Sequence, residues 1–321
     1  MMTNSTIKLA PPGQDGLTWR PITRDYLHQL VDLAKACFLS DGGIHFLFEP
    51  DEIGSRFFPD EPGIAIGAFN VDGQMVACSR VSASDNPGTA HATIVGHVPP
   101  DLRGRGIGTY LVGWSQAQAG LLLAGAAPDQ RTLQIRTESL TQAASHLYEA
   151  HGFKNTFEEL VMRRDLDLPL QEHGLPADVA LTNWHTDLAE QFFLAYDAAF
   201  RERPGFPGYN VAEWVNSWTT DQFVPEWSFL ARAGDAPIGF LMSSNGTIKP
   251  LNGFIMQVGV IPAQRRRGLG SGLVVEVLRR MQAAGAVSGQ LVVNVNNPGA
   301  IQTYVELGFV TIGRRARYES S

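Results

Sequence analysis

Residues 258–271 read VGVIPAQRRRGLGS and predict the end of a strand, a short basic loop with two glycines and the start of a helix. An earlier copy, residues 97–109, reads HVPPDLRGRGIGT. Both copies place Arg-x-x-Gly-x-Gly after a Val-x-Pro turn, and Val98 and Val260 lie 162 positions apart, about half the chain. A loop that directs free backbone N–H groups and arginine side chains at one place is suited to holding phosphate.

A second motif also occurs twice, downstream of each loop. Residues 148–153 read YEAHGF, and residues 304–309 read YVELGF, 156 positions later. The glycine in this motif suits the left-handed conformation that ends many helices. Two motifs that recur in the same order indicate a duplicated domain, in which loop lengths differ slightly between the copies.

Hydrophobic periodicity predicts the same order of elements in both halves: a strand, a helix, a hairpin, a third strand, the basic loop, a helix, a strand and a last helix. Asp72-Gly73 and Gly234-Asp235 mark the two hairpin turns. Residues 44–62 contain three prolines and no periodicity, so we expect them to be irregular.

The length and the duplication predict two domains, because 321 residues suffice for two domains of about 150 residues each. A polar segment with two prolines, residues 167–177, is the expected linker. We therefore expect a disordered tail at residues 1–16 and domains at residues 17–166 and 178–321.

The composition is that of an ordinary globular protein, with 44% hydrophobic and 18% charged residues. A net charge of −7 argues against nucleic acid and anionic membranes as partners, and no apolar run approaches the roughly 18 residues of a membrane span. Cys37 and Cys78 have no metal-type spacing and imply no disulfide framework. We expect a cytoplasmic monomer or homodimer without a metal.

The basic loops differ from two common phosphate-binding motifs. A dinucleotide fingerprint requires Gly-x-Gly-x-x-Gly in the first strand–helix unit, whereas several antiparallel-type strands come first here. A Walker loop requires Gly-Lys-Ser/Thr, which neither copy contains. A lone Gly-x-Gly is typical of tight turns and a run of three arginines is typical of a solvated surface, so the loops are interpreted together with the downstream motif.

Together, the two motifs resemble those of the GNAT superfamily of N-acetyltransferases, whose acetyl-CoA loop is Arg/Gln-x-x-Gly-x-Gly/Ala after a Val-x-Pro strand end. Residues 98–108 and 260–270 both fit this loop. The later family motif, Asn-x-x-Ala-x-x-x-Tyr-x-x-x-Gly-Phe, is complete at residues 297–309, whereas Thr141 replaces the asparagine in the first half. The resemblance covers nearly the whole chain as two tandem copies.

The resemblance implies an α+β fold of the three-layer α/β type, with two tandem domains that are each a mixed, mostly antiparallel twisted sheet flanked by helices. It also implies acetyl-CoA as the co-substrate. The tandem layout is similar to that of mycothiol synthases. Those enzymes carry a catalytic glutamate on the strand before the C-terminal loop, and residues 254–258 offer no acid, so we do not infer mycothiol synthesis from the sequence.

The same resemblance implies which residues bind acetyl-CoA and which act on it. Tyr304, with Tyr148 as its counterpart, is expected to donate to the leaving thiolate of CoA, although packing on the Gly-Phe pair is the alternative role. The expected acetyl-CoA ligands of the second half are Val258, Val260, Arg265, Arg266, Arg267, Gly268, Leu269, Gly270, Ser271 and Asn297. Those of the first half are Val98, Arg103, Gly104, Arg105, Gly106, Ile107, Gly108 and Thr109.

The general base stays open at this point. His97 precedes the first loop and titrates in the right range, although a structural role is commoner for such a residue. Glu202 and Glu226 lie near the expected acceptor side of the second half, and a water chain is a further alternative.

The sequence indicates less about the residues that bind the acceptor than about the basic loops. Residues 201–209 with Trp214 and Trp218 either line the acceptor cleft or pack in the core. The main hypothesis is an N-acetyltransferase that acts on a small-molecule amine, with the second half active because its motifs are more complete. The alternatives are a non-catalytic acyl-CoA-binding or sensing protein and a protein N-acetyltransferase.

Overall fold

A computed structural model of the chain describes residues 16–84, 90–127, 131–203, 206, 208–246 and 250–320, and it divides into two compact units. The first unit contains the chain up to Leu160 together with Ile312–Ser321, and the second contains Val161–Thr311. The predicted tail at residues 1–16 lies outside the described residues except for Gly16. The domain boundaries at residues 166 and 178 stay a prediction.

Apart from α2 and β12, the helices and strands follow the expected order in each half of the chain. The first half contains β1 (Thr18–Pro21), α1 (Leu27–Asp41), α2 (Pro50–Phe57), β2 (Gly63–Phe69), β3 (Met75–Ser84), β4 (Ala90–His97), α3 (Ile107–Leu122), β5 (Arg131–Thr137), α4 (Gln142–Ala150) and β6 (Lys154–Asp165). The second half contains β7 (Ala180–Asn183), α5 (Ala189–Phe200), α6 (Val211–Trp218), β8 (Phe229–Ala233), β9 (Ala236–Asn245), β10 (Asn252–Val260), α7 (Leu269–Ala283), β11 (Ser288–Asn294), α8 (Pro298–Glu306) and β12 (Val310–Ser320).

Each unit has a mixed, mostly antiparallel sheet with helices packed on it, which confirms the fold class. In the first unit the strands follow the order β1-β2-β3-β4-β5-β12, and β4 and β5 are parallel while the other neighbours are antiparallel. In the second unit the order is β7-β8-β9-β10-β11, and β10 and β11 are the parallel pair.

The parallel strands of each unit pair at their beginnings and then separate. Registered pairs of β4 and β5 end at Ile94 and Ile135, and those of β10 and β11 end at Ile255 and Leu291. All four strands continue beyond these residues. The separation leaves an opening between strand ends directly before each basic loop, where a ligand can reach the backbone of β4 or β10.

The expectation that residues 44–62 are irregular was wrong for part of the segment, because α2 forms within it. Pro50 stands in the first turn, where its missing N–H costs no helical hydrogen bond, and acidic residues follow it. Ile53 and Phe57 lie one turn apart and are both buried. Two large buried apolar side chains are too few to reveal a helix by periodicity.

The sequence did not predict a strand after Phe309, yet β12 forms there and belongs mainly to the first unit. Residues 316–320 pair antiparallel with residues 133–137 of β5. Ala316 and Tyr318 are buried in the core that also contains Ile94, Trp114 and Phe153. The last strand of the chain therefore completes the sheet of the first unit.

Aromatic side chains dominate the core of the second unit. Trp214 is fully buried, with its ring centroid 5.3 Å from that of Tyr196 and 6.2 Å from that of Phe240. Such pairs each contribute about 0.5–1.5 kcal/mol beyond the burial of their area.

Within the described ranges, no helix combines the length and the apolar character that crossing a membrane requires.

Candidate active site

The two basic loops end in the same backbone conformation. Gly106 and Gly268 have φ values of 81° and 78°, and they are the N-cap residues of α3 and α7. This left-handed conformation is the one that glycine adopts without strain. As glycines, these N-cap residues have no side chain with which to cap the helix, which suits the first-turn N–H groups to an anionic group.

The first arginine of each loop ties the loop to the strand before it. Arg103 Nε donates to the carbonyl oxygen of Val98 at 3.0 Å, and Arg265 Nε donates to that of Val260 at 3.1 Å. The rest of the Arg103 guanidinium binds the carboxylate of Asp41, whereas Arg265 Nη2 donates to a carbonyl oxygen near the end of α5 at 2.9 Å. The structure thus gives both arginines a role in shaping the loop that the sequence did not indicate.

The remaining loop arginines differ in their surroundings. Arg267 Nη2 lies 2.9 Å from both carboxylate oxygens of Asp178, which occupies part of its guanidinium. Arg266 is exposed and has a φ of 60°, at the position where the first loop has Gly104 with a φ of 72°. Both loops therefore have the same shape, and Arg266 is available to an anionic ligand.

The first unit contains a cavity of about 730 Å³ beside the opening between β4 and β5. This volume is typical of sites for small molecules. Arg105 and Ile107 stand outside its lining, and Ile107 is buried in the core. The predicted residues that line it are Val98, Arg103, Gly104, Gly106, Gly108, Thr109 and Tyr148.

The cavity at the matching place in the second unit is smaller, about 170 Å³. Leu269 is a core residue, with 2% of its surface exposed. The predicted residues that line this cavity are Val258, Val260, Gly270 and Tyr304. The predicted residues outside its lining are Arg265, Arg266, Arg267, Gly268, Leu269, Ser271 and Asn297.

Tyr148 on α4 and Tyr304 on α8 occupy equivalent positions, and both are half-buried. Burial raises the pKa of each hydroxyl to about 12, although a hydrogen bond with Thr137 acts in the opposite direction on Tyr148. Both hydroxyls are therefore neutral hydrogen-bond donors at physiological pH. Full proton transfer from such a group to a thiolate with an ordinary pKa is uphill by about 5 kcal/mol, which favours a hydrogen bond to the sulfur.

His97 lines the cavity of the first unit and stacks on Phe57, with ring centroids 5.8 Å apart. Burial and the nearby Arg56 lower its pKa to about 4, against the opposite influence of Asp41. The imidazole is neutral at pH 7 but too weakly basic to deprotonate an ammonium group. The lowered pKa therefore argues against His97 as the general base.

The acceptor-side candidates of the second unit have different surroundings. Glu202 and Glu226 are exposed and stand outside the lining of the small cavity. Trp214, which the sequence left as a cleft or a core residue, is a core residue. Trp218 is partly buried and packs against the same aromatic cluster.

The later motif begins with Asn297 in one copy and Thr141 in the other, and both residues cap a helix. Asn297 Oδ1 accepts a hydrogen bond from the backbone N–H of Ala300 at 3.3 Å. Thr141 Oγ1 accepts one from Ala144 at 3.2 Å. Asparagine and threonine are both favourable N-cap residues, so the substitution maintains the start of the helix before the tyrosine.

Gln257 is a polar residue next to the cavity lining that the sequence analysis did not single out. Its Oε1 is buried and accepts no hydrogen bond from the part of the chain that the structure describes. The residue follows a bulge in β10, where the register with β9 shifts between Ile255 and Gln257, and it precedes Val258 of the cavity lining. The signal for Gln257 in the sequence was that it is a single polar residue in an otherwise apolar strand end.

Comparisons with known proteins agree with this geometry. The model of the acetyltransferase (GNAT) family matches residues 181–309, and that of an acetyltransferase (GNAT) domain matches residues 65–155. A curated mycothiol acetyltransferase of Frankia casuarinae is 33% identical over 281 residues, which cover 81% of this chain and 78% of that protein.

Two solved structures share the fold over nearly their whole length. A GCN5-related N-acetyltransferase from Sphaerobacter thermophilus has a TM-score of 0.74 at 23% identity, and the match covers 96% of each chain. A tandem GNAT protein from the clavulanic acid biosynthesis pathway has a TM-score of 0.66 at 19% identity, with 95% of this chain and 98% of that chain covered.

Proposed function

The chain belongs to the GNAT family of acetyltransferases, with two such domains in tandem, and we propose that it transfers acetyl from acetyl-CoA to the amine of a small molecule in its second unit. The position of Tyr304 carries this proposal. Its side chain lines a cavity together with Val258 and Val260 at the strand end and Gly270 in the first turn of α7. The neutral Tyr304 side chain thus lies beside the end of β10 and beside the second basic loop.

Each part of this site has a separate task. Acetyl-CoA, when bound, supplies the acetyl group as a thioester. The first-turn N–H groups of α7 and the exposed Arg266 bind its phosphates. Backbone N–H groups of β10 beyond Ile255, where pairing with β11 has ended, stabilise charge on the carbonyl oxygen. Tyr304 donates a hydrogen bond to the leaving sulfur.

Gln257 is a polar residue close to the cavity but does not line it. Its Oε1 is buried and lacks a donor within the described ranges, and the cavity lining begins at Val258. Because successive residues of a strand face opposite sides of the sheet, the side chain of Gln257 points away from the face on which Val258 and Val260 line the cavity. The general base stays open between a water chain and a group of the acceptor.

The substitution Tyr304→Phe tests the proposal, because it removes the hydroxyl and keeps the ring. We expect the rate of acetyl transfer to fall by about 10²-fold or more, since a positioned donor of this kind contributes about 10²–10⁴-fold. The affinity for acetyl-CoA, measured by calorimetry, should stay unchanged. Tyr148→Phe is the matched control in the other unit and should retain the rate.

The opposite pattern, a full rate in Tyr304→Phe and a loss in Tyr148→Phe, would assign the transfer to the first unit. Release of CoA thiol is the readout, across a panel of small amines and lysine peptides. Tight acetyl-CoA binding without thiol release from any amine would favour the non-catalytic binding protein, and release with peptides alone would favour protein acetylation.

The acceptor of mycothiol acetyltransferases is a second candidate and belongs in the panel. The identity of 33% over 81% of this chain favours it. The absence of an acid from residues 254–260 argues against the same catalytic arrangement. Turnover of that acceptor at a rate well above that of the other amines would decide in its favour.

A further inference from the structure

The cavity of the first unit reaches both faces of its sheet. On one face, Ile94 of β4 packs in the core with Val112 of α3, and both line the cavity. His97, three positions after Ile94 on the same strand, faces the other side and stacks on Phe57 of α2, and these two residues line the cavity as well. The lining of the second-unit cavity, by contrast, comes from β10, α7 and α8 alone within the described ranges.

One pair of facing residues accounts for this difference. His97 and Gly259 hold equivalent positions, because each directly precedes the valine of a Val-x-Pro turn. In the first unit His97 is paired with Cys78 of β3, and in the second unit Gly259 is paired with Phe240 of β9. The second unit therefore has a phenylalanine at the place where the first unit has the small side chain of a cysteine.

The ring of Phe240 fills the space over Gly259. A Cβ atom added to Gly259 would lie 2.5 Å from Phe240 Cε1 and 3.0 Å from the Cβ of Ala199 on α5. In the first unit the corresponding pair, Cys78 and His97, lines the cavity. The small thiol of Cys78 thus leaves open the space that Phe240 closes in the second unit.

The wall of this space next to the strands is uncharged at neutral pH. Cys37 of α1 lines it opposite the sheet, and burial raises the pKa of its thiol to about 11. Burial also raises the pKa of the Cys78 thiol and lowers the pKa of His97 to about 4. Protonated buried thiols behave as small hydrophobic groups, so this wall suits an apolar chain better than an ammonium group.

The charged residues of the whole lining balance one another. Asp41 binds Arg103, and Glu138 Oε1 lies 3.6 Å from Arg56 Nη2. The lining contains three acids and three arginines in total, namely Asp41, Glu61, Glu138, Arg56, Arg103 and Arg136. Their formal charges cancel, so the cavity does not select a ligand by the sign of its charge.

We propose that the first unit binds acyl-CoA with an acyl group longer than acetyl, whose chain passes between β4 and β5 to the space beside Cys78. The first basic loop holds the CoA part, as in the family to which this unit belongs. The thioester lies at the opening between the strands, and the chain continues among Cys37, Cys78 and Phe57. The proposal rests on CoA binding by the first loop and not on acetyl transfer in the second unit.

A series of CoA compounds tests this proposal with the full-length protein. CoA, acetyl-CoA, butyryl-CoA and hexanoyl-CoA are each titrated by calorimetry without an amine. A buried methylene group contributes about a fourfold gain in affinity, so butyryl-CoA should bind about tenfold more tightly than acetyl-CoA at one of the sites.

The double substitution Cys78→Phe with His97→Gly transfers the residue pair of the second unit to the first. It should remove the preference for butyryl-CoA over acetyl-CoA, because the added ring fills the space for the chain. The affinity for CoA, which has no acyl group, should stay unchanged. Val71→Phe also adds a ring, at a position that is 84% exposed between β2 and β3, and should leave the whole series unchanged.

The single substitution Cys78→Ile keeps the test decisive if the double variant does not fold. Isoleucine takes up part of the space, so hexanoyl-CoA should lose more affinity than butyryl-CoA. An unchanged affinity for CoA in this variant shows that the basic loop is intact.

Equal affinities of the wild-type protein for acetyl-CoA and butyryl-CoA would overturn the proposal, and this result is expected if the space takes an amine acceptor instead. A preference for butyryl-CoA that persists in both Cys78 variants would also overturn it, because the chain would then lie elsewhere. None of these measurements involves transfer, so a failure here is distinct from a failure of the Tyr304 test.

Discussion

Arg266 in the second basic loop is a single residue with a strained backbone conformation. It has a φ of 60°, whereas the first loop has Gly104 with a φ of 72° at the equivalent place. A residue with a Cβ pays roughly 1–2 kcal/mol for this conformation, and glycine does not. The second loop thus adopts the same shape as the first at a cost in stability, which fits the proposed role of Arg266 in binding phosphate.

Arg266→Gly should raise the free energy of unfolding by about 1 kcal/mol, because glycine relieves the left-handed strain. Urea denaturation measures this change. Calorimetry should show weaker binding of acetyl-CoA in the same variant, since a charge is lost. The reverse substitution in the first loop, Gly104→Arg, is the matched control and should lower the stability. A loss of stability in Arg266→Gly would contradict the explanation.

The ionisation of His97 depends on its burial in the cavity. Its pKa of about 4 lies below the ordinary value because burial disfavours the imidazolium. In NMR titrations its ring resonances should shift with a midpoint near pH 4, and a midpoint between pH 6 and 7 would contradict the burial argument.

The same shift predicts a dependence of stability on pH. Since the folded pKa lies below the unfolded one, neutral His97 contributes stability that is complete above about pH 6.5 and is lost as the pH falls through 4. His97→Gln does not ionise, so its stability should decline less between pH 6.5 and pH 4. Denaturation curves across this window compare the two proteins, and parallel declines would refute the prediction.

At the scale of elements, an ion pair connects the end of α1 to the first basic loop. Asp41 is the last residue of α1, and its carboxylate is 7% exposed while it binds the Arg103 guanidinium. Arg103 in turn holds the carbonyl oxygen of Val98. The helix, the loop and the end of β4 are thus fixed to one another by one guanidinium.

Asp41→Asn should lower the free energy of unfolding by about 1–3 kcal/mol, because the Arg103 guanidinium, which is 29% exposed, loses the nearly buried carboxylate that is its counter-charge. It should also speed hydrogen exchange in the first turn of α3, which the loop positions. Asp178→Asn is the matched control, since it removes the exposed partner of Arg267. Equal effects of the two substitutions would show that burial does not decide the strength of these pairs.

At the scale of the whole chain, its last strand serves its first unit. β12 pairs with β5, and Tyr318 in β12 is 1% exposed in the core of the first unit. The hydroxyl of Tyr318 also forms a hydrogen bond with Ser145 Oγ at 2.7 Å. Residues 17–166 by themselves therefore lack a strand of their sheet and part of their core.

Tyr318→Ala should destabilise the first unit by about 3–5 kcal/mol, the usual cost of removing a large buried ring. Hydrogen exchange should accelerate in β5, far away in sequence from the substitution. Val310→Ala, at a position that is 61% exposed on the same strand, is the control and should have little effect. Unchanged protection of β5 in Tyr318→Ala would contradict the assignment of β12 to the first unit.

The features that the sequence predicts are those whose geometry depends on the spacing of neighbouring residues. The two glycine loops, the two tyrosine motifs and the hairpins at Asp72-Gly73 and Gly234-Asp235 depend on conformations of a few neighbouring residues. They were therefore predictable, as was the duplicated α+β fold. The helix α2 escaped prediction because its large buried apolar side chains, Ile53 and Phe57, are too few to form a pattern.

The sequence by itself determined that the chain repeats one acyl-CoA-type domain, because motif spacing is a local property. Tertiary structure decided which arginines bind other residues of the protein. Arg103, for example, donates a hydrogen bond to Asp41, which lies 62 positions away in the chain. Tertiary structure also decided that β12 joins β5, since strand pairing depends on long-range contacts that leave no periodic trace. The charged cavity around Arg56 and Glu138 has the same origin: neither residue belongs to a motif, and the packing of α2 near the end of β5 brings them together.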